Sequence, residues 1–304
     1  MEARKGVWLG LGAFVFWGLT PLFWNLVDEV DSTDLLVHRI VWSVPLLILV
    51  VGVQRRYPEL RATLRSPKTM TVLAVAGGLL ATNWTIWLWA VTNERIVEAS
   101  LGYFINPLVS VALGVLILGE RLRRLQWVAV GIAAIGVLGM GITVGTPPWI
   151  ALGLACSFGL YGLLKKRADI PAPLISLTGE LLVMFVPALV FLLFLHAPTD
   201  ARFGDSPPIT GYLFASALIT VVPLLLFGAA AKRIPLSMLG LLQYVAPTIQ
   251  LMLGVWVYNE DLALSRLGWF GVVWIALAIY TYDSLHNARN QGLAHESVPR
   301  RTLI

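Results

Sequence analysis

The chain has 304 residues, of which 58% are hydrophobic and only 13% are charged, and its formal net charge is +5. Soluble domains carry about 25% charged residues, so this chain has too little ionised surface to cover a water-soluble fold of its size. The composition excludes an ordinary cytosolic enzyme and indicates a polytopic membrane protein.

Apolar runs of about 20 residues follow one another along the chain, and each is long enough to cross a hydrocarbon core of about 30 Å as a helix. The fold class we predict is all-α, a polytopic membrane protein with ten transmembrane helices. The predicted spans are residues 6–27, 33–53, 70–92, 96–118, 125–143, 147–163, 173–196, 208–230, 235–258 and 264–283. The first span is too long for the core of a signal peptide, so we expect it to remain as a membrane helix.

The distribution of Lys and Arg tests this span count, because short cytoplasmic loops collect basic residues. If Arg4 and Lys5 are cytoplasmic, ten spans place most other basic residues on the same side, in segments 55–68, 121–124, 165–167, 232–233 and 289–301. The opposite segments hold Arg95, Arg202 and Arg266. The pattern predicts a multi-pass membrane protein with both termini in the cytoplasm. Because the membrane topology accounts for the excess of basic over acidic residues, we predict the lipid bilayer as a partner and no nucleic acid.

Residue types that carry chemistry are sparse and scattered. The sequence has one cysteine, Cys156, and four histidines that stand singly. It contains no phosphate loop of the GxxxxGK[ST] type. We therefore predict no metal site, no cofactor and no enzymatic activity.

An internal repeat becomes visible when the sequence is shifted by 140 residues. Segment 97–122 then falls on segment 237–262, and Pro107 coincides with Pro247. The match predicts two five-helix repeats, at residues 1–145 and 146–286, followed by a cytoplasmic tail at 287–304. Because five spans is an odd number, the second repeat would enter the membrane from the opposite face and be inverted. The alternative is chance similarity, because membrane helices share a restricted composition.

Three segments carry a resemblance to a known family: HRIVWS at 38–43, the stretch from Asn83 through VEASLGYFINPL to LGERL, and LLQYVAPTIQ at 241–250. Together they resemble the RarD branch of the EamA-type drug/metabolite transporter superfamily, over essentially the whole chain. The resemblance implies a ten-helix inner-membrane permease built from two inverted EamA-like repeats. It does not name the substrate.

Arg39 is the sharpest candidate for a functional residue. It lies well inside the second span, where a cation costs several kcal/mol unless it faces water or a partner. Its planar guanidinium suits a carboxylate, so we expect either anion recognition or an ion-pair gate, with a structural salt bridge as the alternative. Glu98, at the outer end of the fourth span, is the expected partner at the same membrane level.

Two further ionisable groups are candidates for coupling or gating. His38 adjoins Arg39 but points about 100° away around the helix, and its neutral-range pKa suits either proton relay or a structural hydrogen bond. Glu180 is a carboxylate well inside the seventh span and falls opposite His38 when the repeat alignment is shifted by 142 residues, a slightly different offset from that of the later spans. Because the repeats are inverted, we expect Arg39 and Glu180 at different depths, as two separate gates.

Two prolines interrupt predicted spans near their centres and frame a candidate binding site. Pro107 and Pro247 each remove one helical hydrogen bond, which predicts free carbonyls on Tyr103 and Gln243. Asn106 and Tyr244 lie beside these breaks. The alternative is that both prolines only kink helices that pack together, with hydrogen bonds between the helices.

Asn83 and Trp84 lie deep in the third span and are expected to line the same cavity. Together with Arg39, Tyr103, Asn106, Gln243 and Tyr244 they form the predicted substrate-binding set. His38, Glu98, Glu180, Pro107 and Pro247 form the predicted coupling or gating set.

The function that these features favour is secondary transport. We predict that the chain moves a small organic metabolite or drug-like solute by alternating access, coupled to a proton or solute gradient. A membrane-embedded enzyme and a non-transporting receptor or scaffold are the alternatives. The sequence leaves monomer and homodimer open.

Overall fold

In a computed structural model of the chain, the residues described are 2–144, 148–169, 172–195, 203–204, 206–258 and 264–296. These residues form helices and no β-strand. The helices are α1 (Glu2–Trp24), α2 (Ser32–Val53), α3 (Tyr57–Arg65), α4 (Pro67–Thr92), α5 (Ile96–Leu116), α6 (Arg124–Val144), α7 (Trp149–Arg167), α8 (Pro173–Val190), α9 (Pro207–Ala231), α10 (Leu236–Leu242), α11 (Val245–Trp256) and α12 (Leu264–Glu296). A 3₁₀ turn (Asn25–Val27) follows α1, and a π-helical turn (Phe191–Leu195) follows α8.

Each predicted span coincides with one of these helices, or with the α10–α11 pair, so the all-α class is confirmed. Within the described ranges, eight segments are long and apolar enough to cross a membrane, by length and composition, and Leu267–Asp283 is a shorter apolar stretch. Two features were not predicted. The short helix α3 lies between the second and third spans, and α12 continues to Glu296, into the predicted tail.

Local sequence explains where several helices begin. Pro67 opens α4 directly after Ser66, whose hydroxyl accepts a hydrogen bond from the backbone of Thr69. Pro207 opens α9 in the same way after Ser206. Proline in the first turn has no N–H to leave unpaired, and a serine cap satisfies one of the free N–H groups there.

The helices group into two compact units. The first comprises Met1–Gly119 and Thr146–Glu260, and its largest buried apolar cluster combines side chains from α1, α2, α4, α7, α8 and α9. The second comprises Glu120–Gly145 and Asp261–Ile304, in which α6 packs along α12. Arg123 and Asp283 add an ion pair at 2.5 Å within this second unit. Since these units combine segments from both halves of the sequence, the repeat boundaries at 145 and 286 stay a prediction.

Helix packing in the first unit is reciprocal between the two halves of the chain. Helix α1 packs against α9 and α11, and α7 packs against α4 and α5. Likewise α2 packs against α9, and α8 packs against α4. Each contact therefore has a counterpart when α1 is exchanged with α7, α2 with α8, α4 with α9, and α5 with the α10–α11 pair.

Helices α5 and α10 cross at a glycine. A Cβ atom on Gly240 would lie 2.7 Å from the Cβ of Ser110 and 2.9 Å from the backbone oxygen of Pro107. Backbone atoms cannot swing aside as a flexible side chain can. The crossing therefore requires glycine, and small residues at helix crossings are typical of membrane bundles.

We predict that Gly240→Ala destabilises the protein by about 1–3 kcal/mol, because the added methyl overpacks this crossing. The matched control is Gly78→Ala in α4, where a Cβ would meet nothing within 4 Å. This control should hold or raise stability, since alanine is the better helix former. Thermal unfolding of the purified variants in detergent measures the difference. Equal midpoints would show that the two helices do not cross at Gly240.

Candidate functional site

A cavity of about 740 Å³ lies inside the first compact unit. This volume is within the range of about 300–1,000 Å³ that is usual for small-molecule sites. Its wall is contributed by α1, α2, α4, α5, α7, α9 and the segment around the α10–α11 break. The cavity therefore draws on both halves of the sequence.

The cavity is open at one end of the bundle, which we call the mouth. Asn25, Asp28 and Ile96 line it there and are all exposed. These residues follow α1 or begin α5. Tyr258, beyond the end of α11, also lines the cavity, and its hydroxyl donates to the Pro21 carbonyl at 3.1 Å.

Arg39 projects into the cavity from the second turn of α2. Its Nε donates to the Thr220 hydroxyl at 3.0 Å, which ties α2 to α9. Its guanidinium carbon lies 4.8 Å from the Trp84 ring centroid and 5.0 Å from that of Trp24. These are cation–π distances. The cation is thus held by a hydroxyl and two aromatic rings.

Amide side chains supply the polar part of the wall. Asn83 donates to the Leu154 carbonyl at 2.9 Å and to the Ser157 hydroxyl at 3.0 Å, which joins α4 to α7. Gln243 donates to the Ser110 hydroxyl at 3.0 Å. Asn106 is buried, and its Oδ1 has no hydrogen-bond partner among the described residues. Because buried acceptors are nearly always paired, this amide has unused hydrogen-bonding capacity beside the cavity.

Aromatic side chains close the cavity away from the mouth. Phe14, Trp17 and Phe158 line it at this end. Phe227 lies behind them, with its ring centroid 5.1 Å from Phe158 and 5.9 Å from Trp17. Tyr161 stacks on Phe227 at 5.9 Å, and neither ring is exposed by more than 1%. We call these five residues the aromatic plug.

A buried ion pair lies beyond the aromatic plug. Lys165 Nζ is 2.7 Å from Glu180 Oε1, and both side chains are buried. Tyr161 donates to the other carboxylate oxygen at 3.0 Å, and Ser176 donates to Oε1 at 2.5 Å. Lys165 also donates to the Ser176 hydroxyl at 2.9 Å. A buried charge pair is tolerated only when its remaining donors and acceptors are satisfied in this way.

Lysines also join the ends of α7 and α9 on this side of the bundle. Lys166 donates to the Ile234 carbonyl at 2.5 Å, and Lys232 donates to the Ala168 carbonyl. Burial and the positive charge of Lys165 lower the pKa of the Lys232 amine, and Asp169 acts in the opposite direction. These contacts fix the closed end of the cavity.

The structure brings most of the predicted binding set to one cavity. Its lining includes Arg39, Asn83, Trp84, Tyr103, Asn106 and Gln243. Tyr244 is buried elsewhere, and its hydroxyl donates to the Phe104 carbonyl at 3.1 Å across the α5 crossing.

The predicted gating set is more dispersed. Glu98 lies 3.6 Å from Arg95 rather than beside Arg39. His38 accepts a hydrogen bond from Trp42 at 3.1 Å and stacks on Phe203, away from the cavity lining. Glu180 belongs to the ion pair beyond the aromatic plug. It is therefore separate from Arg39, and the expectation that the two residues act as separate gates stays a prediction.

The two prolines behave differently. Pro107 lies inside α5, which is continuous from Ile96 to Leu116. The second-half helix does break, between α10 and α11, and Pro247 lies in the first turn of α11 and lines the cavity. The expectation of a free carbonyl on Gln243 was wrong, because that oxygen accepts a hydrogen bond from the Ala246 backbone at 3.2 Å.

Sequence reasoning missed three residues of this arrangement. Lys165 was placed in a cytoplasmic loop because it begins a basic run, and Trp24 was not assigned to the cavity. Thr220 was not singled out. A signal for Lys165 existed in the spacing, since Tyr161 and Lys165 stand one helical turn apart, as do Ser176 and Glu180.

Comparison with known proteins identifies related chains. The family model described as the EamA-like transporter family matches residues 4–142. "Protein RarD" of Streptomyces exfoliatus is 47% identical over 291 residues, which cover 95% of this chain and 91% of the relative. "Uncharacterized transporter YojE" of Bacillus subtilis is 43% identical over 290 residues, which cover 93% of this chain and 96% of the relative.

A solved structure described only as "Crystal structure of protein" superposes with a TM-score of 0.71. It covers 91% of this chain and 97% of its own, at 18% sequence identity. At that identity the likeness shows a shared fold.

The buried ion pair yields a prediction about stability. Lys165→Met leaves the Glu180 carboxylate buried without its cation and should cost about 3–5 kcal/mol. The double variant Lys165→Met with Glu180→Gln removes both charges and keeps an acceptor for Tyr161 and Ser176. It should recover most of the loss. Thermal unfolding of wild type, both single variants and the double variant gives the coupling energy. Additive losses would contradict the ion pair.

Proposed function

Because the chain belongs to the EamA-like transporter family, in its RarD branch, we propose that it is a secondary transporter that moves a small organic metabolite or drug-like solute by alternating access. Two named relatives cover nearly its whole length at more than 40% identity, and one of them is named a transporter. The chain is a multi-pass membrane protein, and the partners proposed for it are the bilayer and one small solute.

One observation carries the proposal: a solute-sized cavity reaches the middle of the bundle from one end and is closed at the other. A channel would need a continuous path. Here the aromatic plug and the Lys165–Glu180 pair lie between the cavity and the far end. Transport therefore requires a rearrangement that opens this end and closes the mouth.

The helix packing suggests how such a rearrangement works. The reciprocal contacts support two five-helix repeats, at 1–145 and 146–286, with the second inverted. The family model matches residues 4–142, nearly the first of these. Two inverted halves can exchange conformations, and this exchange moves access from one side of the membrane to the other.

The orientation of the bundle in the membrane follows from the distribution of the basic residues. With both termini cytoplasmic, the mouth faces the periplasm, and the Lys166 and Lys232 contacts lie on the cytoplasmic side. The structure then corresponds to an outward-open state. Glu180 is the candidate for coupling to a proton gradient, because its buried carboxylate is held by Lys165 and lies at the closed end, which must open during transport.

Flux through proteoliposomes tests transport directly. We expect labelled organic solutes to exchange across vesicles that contain the protein, with a rate that responds to an imposed pH or solute gradient. Trp84→Ala should slow flux about 3- to 10-fold, because a ring of the cavity wall is lost. Trp127→Ala is the matched control, since Trp127 is exposed on α6 outside the cavity lining. Flux equal to that of protein-free vesicles for every solute would defeat the proposal.

Cysteine labelling tests the orientation. The native Cys156 is first replaced by serine, and a cysteine is introduced at Asp28 in the mouth or at Arg61 in α3, both exposed. A membrane-impermeant maleimide should label Asp28→Cys on intact cells and Arg61→Cys only after the membrane is opened. The reverse result would invert the topology.

A further inference from the structure

Arg39 holds unused hydrogen-bond donors at the cavity wall. Its Nε is bonded to Thr220, and its carbon lies beside the Trp24 and Trp84 rings. Neither terminal nitrogen has a hydrogen bond or an ion pair to the described residues. A guanidinium presents these nitrogens as a planar fork that matches a carboxylate or phosphate edge.

The charged side chains that line the cavity also favour an anionic ligand. Among the described residues that line it, Arg39 and Asp28 are the two that carry a charge. Asp28 is exposed at the mouth, whereas Arg39 lies about 10 Å along α2 from its first residue, Ser32. A cation at this depth in a membrane bundle is costly unless an anion or water offsets it. The deep part of the cavity is therefore electropositive.

The remainder of the lining is largely apolar and aromatic. Trp17, Trp84, Trp87 and Phe158 all line the cavity, and the Trp84 ring centroid lies 4.8 Å from the Arg39 guanidinium carbon. Flat apolar groups pack favourably against such faces. A fully hydrophilic anion would leave these surfaces in contact with polar groups.

We propose that the transported solute is an organic anion, with one carboxylate-like group on an apolar body about the size of an aromatic ring. This inference rests on the proposed transport function and names its substrate class. The terminal nitrogens of Arg39 bind the anionic group, and the tryptophan and phenylalanine rings hold the apolar body. Asn106 also lines the cavity, and its Oδ1, which has no hydrogen-bond partner among the described residues, is the candidate acceptor for a donor group on the solute.

A purely gating role for Arg39 makes a different prediction. In that case Arg39 would pair with a carboxylate of the chain, such as Asp28, when the mouth closes. Replacing Arg39 would then change the rate of the transport cycle. The affinity for a ligand would not depend on the charge of that ligand, in the wild-type protein or in the variant. Equilibrium binding therefore separates recognition from gating.

The test measures binding of three labelled probes to the full chain in lipid nanodiscs: phenylacetate, phenylacetamide and phenethylamine. They share a ring and differ in charge. Phenylacetate should bind about 10- to 100-fold more tightly than phenylacetamide, the usual effect of a hydrogen bond to a charged group, and phenethylamine should bind most weakly. Acetate, which lacks the ring, should bind more weakly than phenylacetate.

Variants then assign the preference to Arg39. Arg39→Gln should abolish the difference between phenylacetate and phenylacetamide, and Arg39→Lys should retain part of it. Arg95→Gln is the matched control, because it removes the same charge from a residue that lies outside the cavity lining and pairs with Glu98. The control should keep the wild-type preference. The probe series on the wild-type protein tests the proposal even where a variant does not fold.

The outcomes separate the two claims. Equal affinity for the three probes, no binding of phenylacetate, or an unchanged preference in Arg39→Gln would overturn the anion assignment. Flux of neutral or cationic solutes would overturn it as well while the transport function stood. Selective binding of phenylacetate without flux of any solute would support the anion site and defeat the transport function.

Discussion

The absence of water inside a bilayer is the constraint on which this structure depends. Polar groups placed there must find partners within the protein, because lipid tails offer none. The Lys165–Glu180 pair meets this requirement completely, with Tyr161 and Ser176 satisfying the carboxylate oxygens. Arg39 meets it only in part, through Thr220 and two rings. The closed end of the bundle thus holds a charge pair whose hydrogen bonds are satisfied within the protein. The cavity holds a cation, Arg39, whose terminal nitrogens have no hydrogen bond to the described residues.

The helices could be predicted from the sequence because each is marked by a local pattern of apolar and basic residues. Apolar runs of membrane length and alternating basic loops placed the spans within a few residues of the observed helices, except that α12 continues past residue 283 to Glu296. It also found much of the cavity wall, since Arg39, Asn83 and Asn106 are conspicuous polar residues in apolar surroundings. Thr220 was not recognised, because its role depends on a partner distant in sequence: Arg39 lies 181 residues away. Lys165 was not recognised because it begins a basic run, although its partners Ser176 and Glu180 follow within 15 residues. The proline signal was ambiguous, since proline both breaks helices and bends them.

The two ends of the cavity are formed by different kinds of side chain. The mouth is formed by exposed residues that follow α1 or begin α5. The closed end is a stack of large rings backed by the Lys165–Glu180 ion pair and by lysine–carbonyl hydrogen bonds. Opening the closed end must separate Phe227 from Phe158 and Tyr161, and the helices that carry them are α9 and α7. These helices also hold the partners of Arg39 and Asn83, Thr220 on α9 and Leu154 on α7. Binding in the cavity and opening at the far end therefore act on the same elements.

The hydrogen bond from Tyr244 to the Phe104 carbonyl joins positions that are 140 residues apart, the repeat distance. Residues that correspond under a two-fold operation and also touch must lie next to its axis. In the exchange of conformations proposed for the two repeats, residues next to such an axis move little. Under that proposal this contact, together with the close packing of Gly240 on Pro107, forms the pivot about which the other helices tilt.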